Sequence, residues 1–219
     1  MTLLQIRNII DYILSLQEGK IKLTKERLSD ILKVSNLQYF EEQVRQKNWD
    51  NLRGFTKVKG DHLSAPITVA DGVMPYPDDF YQPVSAYVLI PNGSVNIERV
   101  LEKVDGEMFD DRQANPVTIP NTRYPIINYR NDHARVRPKT FKKVYLTYLV
   151  LPSDPVYAQK VQNGVNVYDS ANSVELQWTA DCQIDVMRIA LQHLGIKMGR
   201  GDIYQAMEAQ ANKEEQMTV

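Results

Sequence analysis

Residues 123–155 read RYPIINYRNDHARVRPKTFKKVYLTYLVLPSDP, and no other part of the chain constrains its architecture as strongly. The stretch predicts two or three short β-strands, with a polar Asn-Asp turn at 131–132 between the first two. Pro138 and Pro152 end strands, because a proline cannot donate to a strand ladder. Residues 144–151 are apolar at nearly every position, which is typical of a strand covered on both faces. The sequence here predicts a compact antiparallel unit with a basic side.

The N-terminal segment predicts two or three short helices. Apolar residues recur at three- and four-residue steps over residues 2–17, which is the spacing of one helix face. Thr24 can cap a second helix, because its hydroxyl can accept a hydrogen bond from a backbone N–H of the first turn. Ser35 or Asn36 can begin a third helix, which fades near Trp49. We therefore expect a helical break at residues 35–36.

The middle of the chain has the sequence pattern of a many-stranded antiparallel structure. All eleven prolines lie between Pro66 and Pro155, and prolines in sheet proteins concentrate at turns and strand ends. Residues 84–90 predict a strong strand, whereas residues 95–104 fit either a strand or a short helix. The Asn-Gly pair at 163–164 stands between two strand-like runs and predicts a hairpin turn.

Helical periodicity returns at Trp178. Thr179 is placed to cap a helix, and Gly195 is placed to end it. Asp202 can cap a final helix, with Gln205 three residues later as its capping-box partner.

The order of helices, strands and helices predicts an α+β fold. The predicted domains are an N-terminal helical region over residues 1–53, an antiparallel β domain over 54–177 and a C-terminal helical region over 178–219. The β domain is expected to be a sandwich or a partly open barrel, and the C-terminal tail is expected to fray.

Composition sets further limits. Hydrophobic residues make up 43% of the 219 residues, which is normal for a soluble protein with a core. No window approaches the roughly 20 apolar residues that a membrane helix needs. The single cysteine, Cys182, cannot form an intrachain disulfide. We expect a protein that is made in the cytosol and used there or in an assembly built there.

Charge is distributed in blocks although the net charge is only −1. The net charge is +4 over residues 1–60, −7 over 71–111, +6 over 123–143 and −4 over 152–219. The blocks can complement one another within one chain. They can also guide head-to-tail packing of identical subunits, in which a positive patch meets the negative patch of a neighbour.

Residue types that catalyse reactions or bind metals form no familiar pattern. The histidines are far apart and lack a second ligand at metal-binding spacing; they are His62, His133 and His193. The acidic pair at 78–79 stands where turns place Asp before a strand, and the pair at 110–111 has no partner motif. Acidic neighbours disfavour a thiolate at Cys182, so core packing is expected there. The sequence predicts no enzyme, no metal site and no cofactor.

The basic block is the strongest candidate for a binding surface. Aromatic residues are interleaved with its cations, and positive charge with aromatic rings suits single-stranded nucleic acid. The same surface also fits a protein partner or a solvated face. The candidate residues are Arg123, Arg130, Arg135, Arg137, Lys139, Lys142 and Lys143, with Tyr124, Tyr129 and Phe141 between them.

A run of short motifs follows the N-terminal helical region. These are Tyr76-Pro-Asp-Asp-Phe-Tyr81, Asn115-Pro116, Ile119-Pro120, Tyr124-Pro-Ile-Ile-Asn-Tyr129, Ala134-Arg-Val-Arg-Pro138, Val144-Tyr-Leu-Thr-Tyr-Leu-Val-Leu-Pro152 and Ser173-Val-Glu-Leu-Gln-Trp178. Over about residues 70–195 their order and texture resemble the head–tail connector (adaptor) proteins of tailed bacteriophages, including short-tailed phages of Bacteroides-type hosts.

The resemblance implies a virion structural protein rather than an enzyme. In that family identical subunits form a ring, typically of about twelve copies, below the portal and continue the DNA channel. The implied partners are further copies of the chain, the portal protein and tail or other ring proteins, with passing contact to genomic DNA and no membrane. The implied location is the head–tail junction of the virion, and the host cytoplasm during assembly. The expected portal contacts lie in the C-terminal helices, at Ile184, Met187, Leu191, Tyr204 and Met207.

The basic block supports an alternative function, a nucleic-acid-binding module without sequence preference that uses the face at 123–143.

Overall fold

The computed structural model describes residues 1–16, 23–61 and 64–217, with side chains up to residue 212. The helices are α1 (Leu3–Ser15), α2 (Lys25–Gln46), α3 (Trp49–Leu52), α4 (Gly106–Ala114), α5 (Ala180–His193) and α6 (Arg200–Met217). The strands are β1 (Thr56–Lys59), β2 (Ile67–Thr68), β3 (Val73–Pro75), β4 (Gln82–Asn92), β5 (Val95–Val100), β6 (Glu102–Lys103), β7 (Ile126–Tyr129), β8 (His133–Arg137), β9 (Lys143–Leu149), β10 (Gln159–Gln162) and β11 (Val165–Tyr168). The predicted α+β class is confirmed.

The chain folds as two units, and one of them is discontinuous in sequence. The helical unit comprises Met1–Gly54 and Pro152–Val219, and the β unit comprises Phe55–Leu151. Residues 152–177, which the sequence pattern grouped with the strands, cluster with the helices. Both chain ends therefore contribute to one core.

Helix α1 confirms the helix predicted near the N terminus. A capping box begins it, because Thr2 accepts the Gln5 N–H at 3.3 Å and the Gln5 side chain accepts the Thr2 N–H at 2.9 Å. Four of the five residues of the predicted apolar stripe are buried. These are Leu3, Ile6, Ile10 and Ile13, whereas Leu16, at the end of the helix, is 63% exposed.

Helix α2 is continuous, so the predicted break at residues 35–36 was wrong. Thr24 caps this helix as predicted, by accepting the Arg27 N–H at 3.3 Å. The Ser35 hydroxyl donates to the Ile31 carbonyl at 2.8 Å. This bond satisfies the hydroxyl within the helix, so Ser35 does not need to begin a new one.

Asn36 is held in the middle of α2 by contacts that are distant in sequence. Its side chain is buried, and its amide donates to the Ser153 carbonyl at 3.2 Å. Its Oδ1 accepts the indole N–H of Trp178 at 2.6 Å. A residue type that often begins helices is therefore stable inside one, because tertiary partners replace the local backbone bonds it would otherwise make.

The two ends of α5 lie where the sequence predicted them, but the start of α6 does not. Thr179 directly precedes α5, and Gly195 follows it with φ +83°, a left-handed conformation that favours glycine. Helix α6 begins at Arg200, before the predicted cap. Asp202 lies in its first turn and accepts the Gly199 N–H at 2.8 Å, so the prediction that Asp202 is the cap was wrong.

Strands β10 and β11 confirm the predicted hairpin in the helical unit. They pair antiparallel across a two-residue turn. Asn163 and Gly164 in that turn have φ values of 51° and 77°. Positive φ at both positions is the pattern of a type I′ turn, whose twist matches the flanking strands.

Two sheets build the β unit. The larger has five strands, in the order β1-β9-β4-β5 with β2 also on β9, and the smaller has the order β3-β8-β7-β6. The pairs are antiparallel except β6–β7. Both sheets contribute to one buried cluster, which includes Met74, Val88, Val136, Leu146 and Tyr148. Residues 95–104, which the sequence left open, form strands β5 and β6.

Helix α4 was not predicted, and it packs within the β unit. Phe109 is fully buried and forms a small cluster with Val104 and Ile126. Arg112 makes two parallel hydrogen bonds to Glu102, at 2.6 and 2.8 Å. The acidic stretch of the sequence thus contains a helix that is attached to the smaller sheet by one buried ring and by ion pairs, of which Arg112–Glu102 is one.

Candidate functional site

The fold divides the basic face into two parts, and the first part faces α4. The guanidinium carbons of Arg135 and Arg137 lie 4.7 and 5.4 Å from the centre of the Phe109 ring, which is cation–π distance. Arg135 also pairs with Asp110 at 3.1 Å, and Arg137 donates to Gln113 at 2.6 Å. The acidic block at 71–111 and the basic block at 123–143 therefore contact each other within one chain. This is one of the two arrangements that the charge pattern allowed; the other was contact between neighbouring subunits.

The second part is exposed and lacks ion-pair partners among the residues that the structure describes. Arg130 donates to the Asn128 side chain at 3.4 Å, and Arg123 lies over the ring of Tyr124 at 5.5 Å. The charges of this part remain available to a partner. Its members are Arg123, Arg130, Lys139, Lys142 and Lys143.

A cleft of about 470 Å³ lies beside the β4–β5 hairpin. Strand β9 pairs with β4 only as far as Tyr145 opposite Tyr87, whereas β4 and β5 stay paired as far as Asn92 opposite Val95. The hairpin therefore extends beyond β9 and leaves room at its side. We call this space the lysine cleft. Its polar lining is Lys142, Lys143, Thr122, Thr140 and Asn96, and its apolar lining is Leu89, Ile90, Pro91, Phe141 and Tyr145.

The aromatic residues of the basic face do not form a row of accessible rings. Tyr129 stacks against Tyr76 at 6.5 Å, and burial raises its pKa. Phe141 packs against the core of the β unit. Tyr124 is 63% exposed and lies beside Arg123. The stacking surface that the sequence suggested is thus reduced to Tyr124.

Strand β5 is an open edge of the five-stranded sheet. The Leu101 N–H donates to the Ala86 carbonyl at 2.9 Å. Because hydrogen bonds alternate along an antiparallel pair, the backbone groups of Glu98 and Val100 point away from β4. No described strand pairs with this side of β5. Val95 and Val100 are 65% and 71% exposed, so the edge offers both backbone groups and apolar side chains.

The opposite edge, β1, is covered by its own chain. The Ser64 hydroxyl donates to the Val58 carbonyl at 2.7 Å, and the Ser64 carbonyl accepts the Gly60 N–H at 3.0 Å. Both edge strands carry charged side chains, Lys57 and Lys59 on β1 and Glu98 and Arg99 on β5, so the difference between the edges is the backbone groups that Ser64 occupies at β1. The two edges of the sheet therefore differ in what they offer to another chain.

The candidate portal contacts separate into buried and accessible residues. Ile184, Met187 and Leu191 lie on the buried face of α5 and are at most 3% exposed. They belong to the core of the helical unit, because the apolar stripe of α5 is its packing face. Tyr204 is 46% exposed and Met207 is half-buried on α6, so these two are accessible to a partner.

One carboxylate of each acidic pair has structural contacts. Asp79 accepts the Lys57 ammonium at 2.5 Å and the Tyr148 hydroxyl at 2.9 Å. The hydrogen bond from Lys57 lowers the pKa of Asp79, and this effect is larger than the increase in pKa that partial burial causes. Asp110 pairs with an arginine of β8, as described above. Cys182 is buried in α5.

Each of the two histidines that the structure describes has a polar neighbour within its own unit. His133 lies 2.7 Å from Asp132, and His193 lies 3.2 Å from Gln38. His62 lies outside the described residues. The described part of the chain has no group of three or more His, Cys, Asp or Glu that could hold a metal ion, and none of its helices is long and apolar enough to cross a membrane.

Sequence reasoning missed the three uncharged polar members of the lysine cleft. Thr122, Thr140 and Asn96 carry no motif, and Asn96 is distant from the other two in sequence. Thr140 is two residues from Lys142, whereas the extent of the β4–β5 hairpin brings Asn96 near the two lysines. No protein-family model matches this chain, and no curated protein matches it.

Proposed function

We propose that this chain is a structural subunit of a tailed-phage virion, a head–tail connector that forms a ring of identical copies below the portal and continues the DNA channel. The observation that carries the proposal is the open edge at β5, where Val95 and Val100 are 65% and 71% exposed. The other edge of the same sheet is covered by Ser64. Proteins that remain alone protect their sheet edges, so one open edge fits a protein that assembles.

Other exposed apolar residues of the β unit support an assembly role. Val117 is 91% exposed and Ile119 is 53% exposed in the segment after α4. Single exposed apolar side chains are ordinary, but exposed apolar side chains that lie together are typical of a surface that a partner covers, and these two are separated by one residue. These residues belong to the stretch that carries the family resemblance.

A sheet with one open edge suits head-to-tail contacts. In such contacts two different surfaces of neighbouring copies meet, and the arrangement closes into a ring when the rotation allows it. Exposed charges of opposite sign would steer the copies together. The copy number of about twelve, the portal and tail partners, and the location at the head–tail junction follow the resemblance and are part of this proposal.

Size-exclusion chromatography with light scattering, followed by negative-stain imaging, tests the proposal. The wild-type chain, alone or with the portal protein, is expected to give ring-shaped particles. The double variant Val95→Ser/Val100→Ser removes apolar surface from the open edge without adding charge. We expect it to weaken self-association at least ~10-fold, because each valine loses buried apolar area.

The matched control is Val34→Ser/Leu37→Ser. These residues are 52% and 42% exposed on α2. The control therefore removes a similar amount of exposed apolar surface from the helical unit and none from β5. The control is expected to leave the rings intact. Wild-type chains that stay monomeric with the portal protein at high concentration would contradict the proposal, and so would equal weakening by both double variants.

A further inference from the structure

We propose that the lysine cleft binds the sugar–phosphate backbone of a nucleic acid. The inference goes beyond the assembly role, since a subunit can form a ring without holding nucleic acid. It also limits the candidate binding residues of the basic face to those of the lysine cleft. Arg135 and Arg137 are not candidates, because they already contact Phe109 within their own chain.

The polar groups of the cleft match a phosphodiester. Lys142 and Lys143 supply ammonium donors, and Thr122 and Thr140 supply hydroxyl donors. Asn96 adds an amide. A phosphodiester offers acceptor oxygens and negative charge, which are the complement of this set. Most hydrogen bonds between proteins and DNA are of this kind.

The charges around the cleft also favour an anion. Within the described parts of the chain no Asp or Glu lines it, and neither lysine forms an ion pair. Arg123 directly follows the lining residue Thr122. Two acidic residues are nearby but do not line the cleft. Glu98 is paired with the lining residue Leu89, and Glu98 and Asp61 both act on Tyr87, which stacks on Tyr145. The positive charge is local, because the chain as a whole has a net charge of −1.

The rings of the cleft indicate that the backbone, and not the bases, is bound. Tyr145 is already stacked on Tyr87, with ring centres 4.8 Å apart and planes 13° apart. Phe141 packs against the core of the β unit. A single-strand binder needs free rings on which bases stack. The cleft is therefore expected to bind duplex and single strands of equal length with similar affinity and without sequence preference.

Fluorescence anisotropy with a labelled duplex and a single strand of the same sequence tests this inference, in a series of salt concentrations. We expect the double variant Lys142→Gln/Lys143→Gln to lower affinity at low salt at least ~10-fold for both probes. The slope of log affinity against log salt should become shallower by about 2, because each lysine neutralises about one phosphate. Circular dichroism verifies that the variant is folded.

The matched control is Lys103→Gln/Lys197→Gln. Both lysines are exposed, and neither lines the cleft or belongs to the basic face, so the same charge is removed elsewhere. This variant is expected to stay within about threefold of wild type. Equal losses in the two double variants would overturn the inference, because binding would then reflect overall charge.

Two other outcomes would also overturn it. If the wild-type chain binds neither the duplex nor the single strand at low salt, the inference is wrong. Rings that dissociate in Lys142→Gln/Lys143→Gln, with no nucleic-acid binding by wild type, would assign the cleft to a neighbouring copy. The variant Val95→Ser/Val100→Ser is expected to bind both probes, so failed assembly and failed nucleic-acid binding can be distinguished.

Discussion

Cations of equal charge have different roles in the β unit because their side chains differ. Arg135 and Arg137 have planar guanidinium groups that lie against the Phe109 ring. Arg135 also forms an ion pair with Asp110 of α4, and Arg137 donates a hydrogen bond to Gln113 of α4. Lys142 and Lys143 have compact, well-hydrated ammonium groups and remain exposed. The arginines therefore serve the internal packing of the unit, and the lysines remain available for a ligand.

Asn36 shows how one buried amide fixes distant segments of the helical unit. It bonds to Ser153 and to Trp178, whose ring packs edge-on against Tyr39 with centres 4.9 Å apart. A buried polar group that loses its partner costs about 1–3 kcal/mol. Asn36 thus holds the chain that returns from the β unit against α2.

Replacing Asn36 by alanine is expected to lower the free energy of unfolding by about 2–3 kcal/mol, because the Trp178 indole N–H would lose its acceptor inside the core. Urea denaturation followed by tryptophan fluorescence measures the loss. The control is Leu37→Ala, one residue away and 42% exposed, which is expected to cost no more than about 0.5 kcal/mol. Similar costs for the two variants would mean that Asn36 is not a tertiary anchor.

At the scale of elements, Phe109 is the buried side chain of α4, and the ion pairs of Arg112 and Asp110 add to the attachment of the helix. Phe109→Ala should lower the free energy of unfolding of the β unit by about 3–5 kcal/mol, because the ring is fully buried and also supports Arg135 and Arg137. Hydrogen exchange should increase first in α4. Met108→Ala is the control, since Met108 is 48% exposed on the same helix. Unchanged protection of α4 in Phe109→Ala would contradict this account.

Elements set by local pattern were predictable, and elements set by distant contacts were not. Strands β7 and β8 follow from short apolar runs and prolines, β9 follows from its nearly continuous apolar run, and the β10–β11 hairpin follows from its Asn-Gly turn. The false break in α2 came from Ser35, whose hydroxyl bonds back to Ile31 within the helix, and from Asn36, whose partners are distant in sequence. Helix α4 was missed because its apolar face is little more than Phe109.

The candidate site was predictable only as a charge pattern. The sequence identified all seven basic residues of the face, since a run of cations is visible in one dimension. It could not separate Arg135, which meets α4, from Lys142, which lines the cleft. That distinction depends on how far β4 and β5 extend past β9. The extent of strand pairing is a property of the folded chain, so the sequence pattern does not reveal it.

At the scale of the whole molecule, the β unit is an insertion in the helical unit. The chain enters it at Phe55 and leaves it after Leu151. These ends are neighbours, because the Val150 N–H donates to the Phe55 carbonyl at 2.9 Å. Domains whose ends lie close together are the ones that tolerate insertion and excision. The helical unit, in contrast, needs both of its segments to complete its core.

The excised fragment 55–151 is therefore expected to fold alone, with one cooperative unfolding transition and dispersed amide resonances, since its buried cluster is complete within these residues. The fragment 54–177 is the informative comparison. It adds Tyr157 and Leu176, which are each 5% exposed in the full chain and pack in the helical unit. Without the helices those side chains become exposed, so the longer fragment should aggregate more and gain no stability. A longer fragment that is the more stable of the two would mean that residues 152–177 belong with the strands.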